Sequence, residues 1–228
     1  MEKFVYILDR PAEKSIEDFK TIVLGAVVET LRAQGASQIT INIADLGEQV
    51  SESAPQRIIG PCENIGAAIE FWHDCLDRRA PIEACFEAVS DKFIGYLVTE
   101  SVPQACERDW AEGQRRPGVT QFGANGKPPA VSDEDFYHNW QVKHSTHSFE
   151  LHPLRWSYVR NSVARPLTKN APAYRAIVSE HFRVLEDFTD ESRYFGSQEV
   201  VEDMFKEING FCDLELMISI PMSEYYFD

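Results

Sequence analysis

The chain has 228 residues, 43% of them hydrophobic and 11% aromatic, enough for one large domain or two small ones with real cores. A formal charge of −15 and a pI near 4.8 argue against nucleic acid or an anionic membrane surface as partner, since both attract clustered Lys and Arg. FVYILDR at the start is too short for the apolar region of a signal peptide and ends in charge, so none is expected. No apolar run approaches the roughly 18 residues of a membrane span, and a cytoplasmic protein is expected.

In chain order, Phe4 to Asp9 (FVYILD) reads as a strand closed by Arg10-Pro11. Ser15 then opens a helix in which Phe19, Ile22, Val23, Ala26, Val27 and Leu31 follow helical spacing and Gly35 is the stop. Gln38 to Ala44 alternates polar with apolar, as a strand does. A Ser-, Pro- and Gly-rich loop follows around Ser51 to Gly66, then a strand at Ala67 to His73. Pro81 opens a second helix, and Lys92 to Thr99 is one more strand. The order is βαββαβ.

Trp110 to Pro117 (WAEGQRRP) is a charged, Gly/Pro-punctuated connector, after which the order begins again. Val119 to Ala124 is a strand, and Ser132 caps a helix whose first turn carries Asp133, Glu134 and Asp135 against the positive end of the dipole. Arg155 to Val163 and Tyr174 to Phe182 are strands, Ser197 to Asn209 is a helix, and Leu214 to Ile220 is the last strand. SIEDF at Ser15 to Phe19 and SDEDF at Ser132 to Phe136 register the two halves at an offset of 117. The expected domains are therefore two tandem repeats, residues 1–110 and 117–228.

A βαββαβ unit leaves one sheet face bare. Two such units can cover each other by packing face to face, enclosing room for a compact ligand. The expected fold class is α+β: two tandem ferredoxin-like units packed sheet to sheet as an intrachain α+β barrel.

Five of the six histidines lie in the second half: His138, His144, His147, His152 and His181, with only His73 before them. Phe136, Trp140 and His144 recur every fourth residue and share a helical face. An imidazole exchanges a proton near neutral pH, so His144 is a candidate general acid or base, and Trp140 a pocket wall. On the strand from Arg155, period 2 puts Trp156, Tyr158 and Arg160 on one face and Val159, Asn161 and Val163 on the other. The valines suit the helix-covered side. Tyr158 would then line the barrel as a hydrogen-bond donor and Arg160 as the holder of an anionic group, unless it pairs with a surface acid. Of Glu180 and His181 only one faces inward, and His181 with Ser179 is the preferred pair. Phe122 is a further lining candidate, and Trp72 and His73 could supply an opposite wall.

Cys62, Cys75, Cys85, Cys106 and Cys212 form no CxxC pair and no zinc spacing, and neither a GxGxxG nor a Walker pattern occurs. No metal or other cofactor is expected.

Ser132, Phe136, Trp140, His144, Tyr158 and Asn161, followed by Pro172, Tyr174 and Phe182, resemble the pattern of an EthD domain of the dimeric α+β barrel superfamily. The resemblance covers roughly Val119 to Met222. Lys143 stands where the family usually has a second His, and the first half has Val23 and Val27 in place of the Trp and His. The resemblance implies acid/base chemistry without a cofactor on an aromatic or lactone substrate. The function expected is a lyase or isomerase, with His144, Tyr158 and Arg160 catalytic and Trp140, Trp156, His181, Ser179 and Phe122 binding a small aromatic or cyclic ligand. The rivals are a non-catalytic binding or accessory protein and a structural barrel with a filled interior. A homodimer of the tandem chain is a further arrangement that the repeat allows.

Overall fold

A computed structural model describes residues 1–50 and 64–228; the expected Ser/Pro-rich loop, in its stretch 51–63, and Cys62 lie outside the described residues. Among the described residues eight strands form: β1 (Glu2–Asp9), β2 (Ser37–Ile43), β3 (Ile65–His73), β4 (Lys92–Gln104), β5 (Val119–Gly126), β6 (Arg155–Pro166), β7 (Ala176–Phe182) and β8 (Asp213–Phe227). They close a single antiparallel barrel in the order β1-β3-β2-β8-β5-β7-β6-β4.

This closure corrects the expected fold class. Instead of two ferredoxin-like sheets packed face to face, one continuous sheet curls round until its edges hydrogen-bond, along the seams β2–β8 and β4–β6. The physical reason lies in two long strands. β4 pairs with β1 through Lys92–Val98 and with β6 from Tyr96 to Gln104. β8 pairs with β5 as far as Met222, then with β2 through Ser223–Phe227. Edge amides left unpaired by one partner are taken up by the next, which removes every free edge. Pro103 and Pro221, beyond the expected strand ends at Thr99 and Ile220, sit inside these extended strands.

Short helices cover the outside. α1 (Ile16–Ile22), a π-helical turn (Val23–Val27) and α2 (Val28–Ala33) are contiguous, capped by Ser15 Oγ, which accepts from Asp18 N at 3.1 Å. α3 (Gly47–Val50) and α4 (Ala80–Val89) complete the first half. In the second half α5 (Asp133–Tyr137), a π-helical turn (His138–His144) and α6 (Ser145–Leu151) again run together. Ser132 Oγ accepts from Asp135 N at 3.0 Å. α7 (Glu186–Thr189) and α8 (Glu191–Tyr194), absent from the sequence reading, precede α9 (Gln198–Phe211). No helix among the described residues is long and apolar enough to cross a membrane.

The barrel interior holds a layer of apolar side chains, among them Val5, Ile7, Tyr96, Phe122, Ile177, Ile220 and Met222. At roughly 1.5–3 kcal/mol for each large side chain taken fully out of water, this layer is a main source of stability. The opposite face of β1–β3 packs under α1, α2 and α4 around Phe4, Tyr6, Phe19 and Phe86. The outer face of β6–β8 packs under α5, the second π turn and α9 around Phe136, Trp140, Tyr158 and Phe211.

One end of the interior is polar. Glu70 of β3 accepts from Lys3 Nζ (2.6 Å), Asn161 Nδ2 (3.1 Å) and Ser179 Oγ (3.0 Å), so strands β1, β6 and β7 converge on one carboxylate. Burial alone would raise the pKa of Glu70; the Lys3 charge and these donors outweigh it and hold the carboxyl below its usual range.

Candidate functional site

Between the outer face of β5–β8 and the second-half helices lies a cavity of about 620 Å³. Its sheet side includes Gln121, Gly123, Tyr158, Val178, Glu180, Met217 and Ser219. Its helix side includes Trp140, His144, Tyr194, Met204, Ile208 and Phe211, with Phe205 and Leu214 exposed at the mouth. The apolar wall with a few convergent polar groups is the usual make-up of a small-molecule site.

His144 ends the second π-helical turn. Ser145 N–H and Ser145 Oγ both donate to Trp140 O, the i to i−5 pattern of a π turn, a feature frequent at functional sites. The His144 ring packs 5.8 Å from Phe211, and its Nδ1 lies 3.3 Å from Glu207 Oε2. The same carboxylate oxygen lies 3.2 Å from Nδ1 of His147. These two imidazoles, His144 first, hold the Glu207 carboxyl below the usual range, so it is ionised at neutral pH. With Nδ1 committed to Glu207, Nε2 of His144 is the nitrogen left for a ligand.

Arg155, behind the wall, forms a buried pair with Glu180 of the sheet side, Nη1 to Oε1 at 2.5 Å. Burial opposes ionisation of Glu180, but Arg155 outweighs it and the carboxyl is held low. Tyr158, 2% exposed, has its hydroxyl 3.5 Å from Ser145 Oγ and its ring under the Arg155 guanidinium at 4.2 Å. Burial, then the Glu180 charge, pushes its phenol up to about 12, so it remains a donor at neutral pH. His152 is lowered by burial and stays neutral, with Nδ1 3.0 Å from Tyr194 O.

The structure brings together three of the residues singled out in the sequence: Trp140, His144 and Tyr158. Arg160 stands next to them but does not line the cavity. Its Nη1 donates to Gln141 O (3.1 Å) and Ser145 Oγ (2.6 Å), and its Nε to Ser101 Oγ (3.3 Å). Phe122, Ser179 and His181 are on the barrel side of the sheet. Phe122 is in the apolar layer, Ser179 is on Glu70, and His181 sits between Thr120 Oγ1 (2.7 Å) and the Pro117 carbonyl (2.9 Å). Trp156 stacks on Arg116 and Arg183 at 4.8 and 4.2 Å, away from the cavity. His73 is structural, its ring nitrogens on Cys75 O and Gln34 O. Trp72 lies beside it on β3 and is not in the cavity wall.

The face assignment of β6 is thus reversed. Val163 and Asn161 face the barrel, and Tyr158 and Arg160 face the helices. Both faces of this strand are covered, so alternation separates them without saying which is inside. Glu180, Arg155 and Glu207 were missed as site residues. Glu180 carries a sequence signal, since it alternates with His181 on β7. Glu207 carries none, being 63 residues from His144.

Among the described residues no group of three or more His, Cys, Asp or Glu is arranged to hold a metal ion, and Cys75, Cys85, Cys106 and Cys212 are free thiols.

No protein-family model matches the chain, and no curated protein matches it. Solved structures do. A candidate monooxygenase from Fusobacterium nucleatum aligns over 100% of this chain and 92% of its own at 8% identity and a TM-score of 0.59. An anthrone oxidase-like protein aligns over 99% and 93% at 9% identity and 0.58. A candidate monooxygenase from Lactobacillus acidophilus aligns over 100% and 99% at 10% and 0.52. At these identities the likeness is one of fold, shared along the whole chain.

Proposed function

We propose that this protein is an enzyme that moves a proton on a small aromatic or cyclic molecule held between the sheet and the second-half helices. His144 is its general acid–base. The observation that carries the reading is the orientation of His144: in the wall of a 620 Å³ cavity, with Nδ1 held by the Glu207 carboxylate. Trp140 and Phe211 supply aromatic walls, and Tyr158, a phenol at neutral pH, is the donor placed to polarise a ligand oxygen. Arg160 is a positioning residue in this reading, tying Ser145 and Gln141 of the helix to β6 and lying 5.8 Å over the Trp140 ring.

Removing a proton from a phenol or an acidic C–H leaves an electron-rich anion. From there isomerisation or elimination is open without a cofactor, and a lyase or isomerase is the class proposed. The neighbours named as monooxygenase and oxidase point to a further branch, in which an external oxidant takes up that anion.

The test is turnover of aromatic phenols and lactones by wild type and His144→Ala, with products separated by chromatography. A loss of about 10²-fold or more in kcat is expected. Turnover within about tenfold of wild type sinks the assignment of His144. Binding without conversion in both proteins supports the rival reading, an accessory protein that only holds its ligand.

A further inference from the structure

We infer that the cavity selects uncharged, hydroxylated aromatic molecules and rejects aromatic carboxylates. This rests on the aromatic-substrate reading above and deepens it.

The wall of the cavity contains no lysine and no arginine among the described residues, whereas Glu180 and Glu191 belong to it. Four arginines beside the cavity are all committed elsewhere: Arg175 to Asp133, Arg193 to Asp187, and Arg155 and Arg160 as follows. The Arg155 side chain is fully buried, with Nη1 on Glu180 and Ser148, Nη2 on Ser148 and Nε on Gln104 Oε1. Arg160 is held by Ser101, Gln141 and Ser145. Of the two imidazoles in the wall, His152 is neutral and His144 already faces a carboxylate. An incoming carboxylate would therefore lose its water without gaining a counter-ion, since Arg155 and Glu180 balance each other, and would face the Glu191 carboxylate as well. A phenol loses only hydrogen bonds that hydroxyl and amide groups can replace.

The proton transfer fits this selection. The phenol O–H bond breaks, an N–H bond forms at Nε2 of His144, and the electron pair stays on the phenolate oxygen. The imidazolium so formed faces Glu207, and the net charge of the site is the same before and after. A substrate that arrives as an anion gains nothing from this arrangement.

The experiment is calorimetric binding of two probes of equal ring shape, 2-naphthol and 2-naphthoate, at pH 7.5 and low salt. The naphthol is expected to bind at least tenfold more tightly. Leu214→Lys sets a cation at the cavity mouth, where the native side chain is 48% exposed and the fold loses little. It should raise naphthoate affinity and narrow the gap at least threefold, and Glu191→Gln should act in the same direction. Naphthoate binding as tightly as naphthol in the wild type overturns the inference and leaves the acid–base role of His144 standing. Preference for naphthol with turnover untouched in His144→Ala overturns the catalytic reading alone. Binding of neither probe removes the aromatic pocket and the inference together.

Discussion

Glu207 sets one carboxylate oxygen between two imidazoles, 3.3 Å from His144 and 3.2 Å from His147. The charge fixes which nitrogen of His144 carries its proton toward the protein and steadies the imidazolium formed on transfer. Glu207→Gln keeps the shape and removes the charge. It should lower kcat roughly tenfold or more with a smaller change in KM, and nitrogen NMR of His144 should report a changed tautomer population. An unaltered tautomer signal would deny Glu207 its positioning role. Arg155 and Glu180 make the opposite kind of pair, buried and structural. Arg155→Met leaves a carboxylate without its cation, at a cost of about 3–5 kcal/mol in denaturant unfolding. The double variant Arg155→Met/Glu180→Met should recover most of that. If the double is as unstable as the single, the unpaired charge is not the cause.

His181 gives a pH dependence with a definite sign. Burial first, then the Arg116 charge, lowers its pKa to about 3, so the folded ring is neutral where an unfolded one, near 6.5, takes up a proton. The unfolded state then binds more protons across that window, and the stability tied to the neutral ring is full above pH 6.5 and lost progressively toward pH 3. The loss is on the order of 3–5 kcal/mol. His181→Gln should flatten that slope in unfolding curves taken between pH 7 and 4. A slope unchanged from wild type would assign the acid sensitivity to the carboxylates instead.

At the scale of elements, the second-half helix shows what a local signal can carry. Ser132 and the acids after it mark the start, and the spacing of Phe136, Trp140 and His144 marks the buried side. Ser132→Ala should cost about 1 kcal/mol by thermal or denaturant unfolding, the usual loss of a cap. A loss below about 0.3 kcal/mol would mean that tertiary packing alone fixes this end. The π turns at Val23–Val27 and His138–His144 were not legible, because the apolar spacing marks the buried side of a helix without telling an i to i−5 bond from an i to i−4 bond. Glu180 and Tyr158 were legible as alternating strand residues but not as partners of the helix, since both faces of β6 and β7 are covered.

For the whole molecule, the closed barrel makes the seams as important as the ladders inside each half. Amides paired across β2–β8, such as those of Ile41 and Tyr225, should exchange only through global unfolding, with protection equal to that of β1 and β3. Exchange at the seams that is faster by about 2 kcal/mol or more would restore the picture of two separable sheets. The interior is apolar along much of its length, and at its polar end, where Lys3, Asn161 and Ser179 meet Glu70, a smaller cavity of about 260 Å³ opens. The larger cavity, of about 620 Å³, lies outside the barrel, under the helices.

The sequence by itself determined the number and order of the eight strands, the main helices with their caps, and the grouping of Trp140 with His144. Each of these depends on neighbours within a few residues, through period-2 or helical spacing and through hydrogen bonds to the next turn. Only the tertiary structure decided that β4 and β8 run on through Pro103 and Pro221 to close the barrel. It alone decided that Tyr158 faces the helices and Phe122 the interior, and that Glu207 meets His144. Edge pairing, the inside and outside of a strand covered on both faces, and contacts 63 or more residues apart leave no periodic trace. They are fixed by which unpaired backbone groups and apolar faces find each other once the chain is compact.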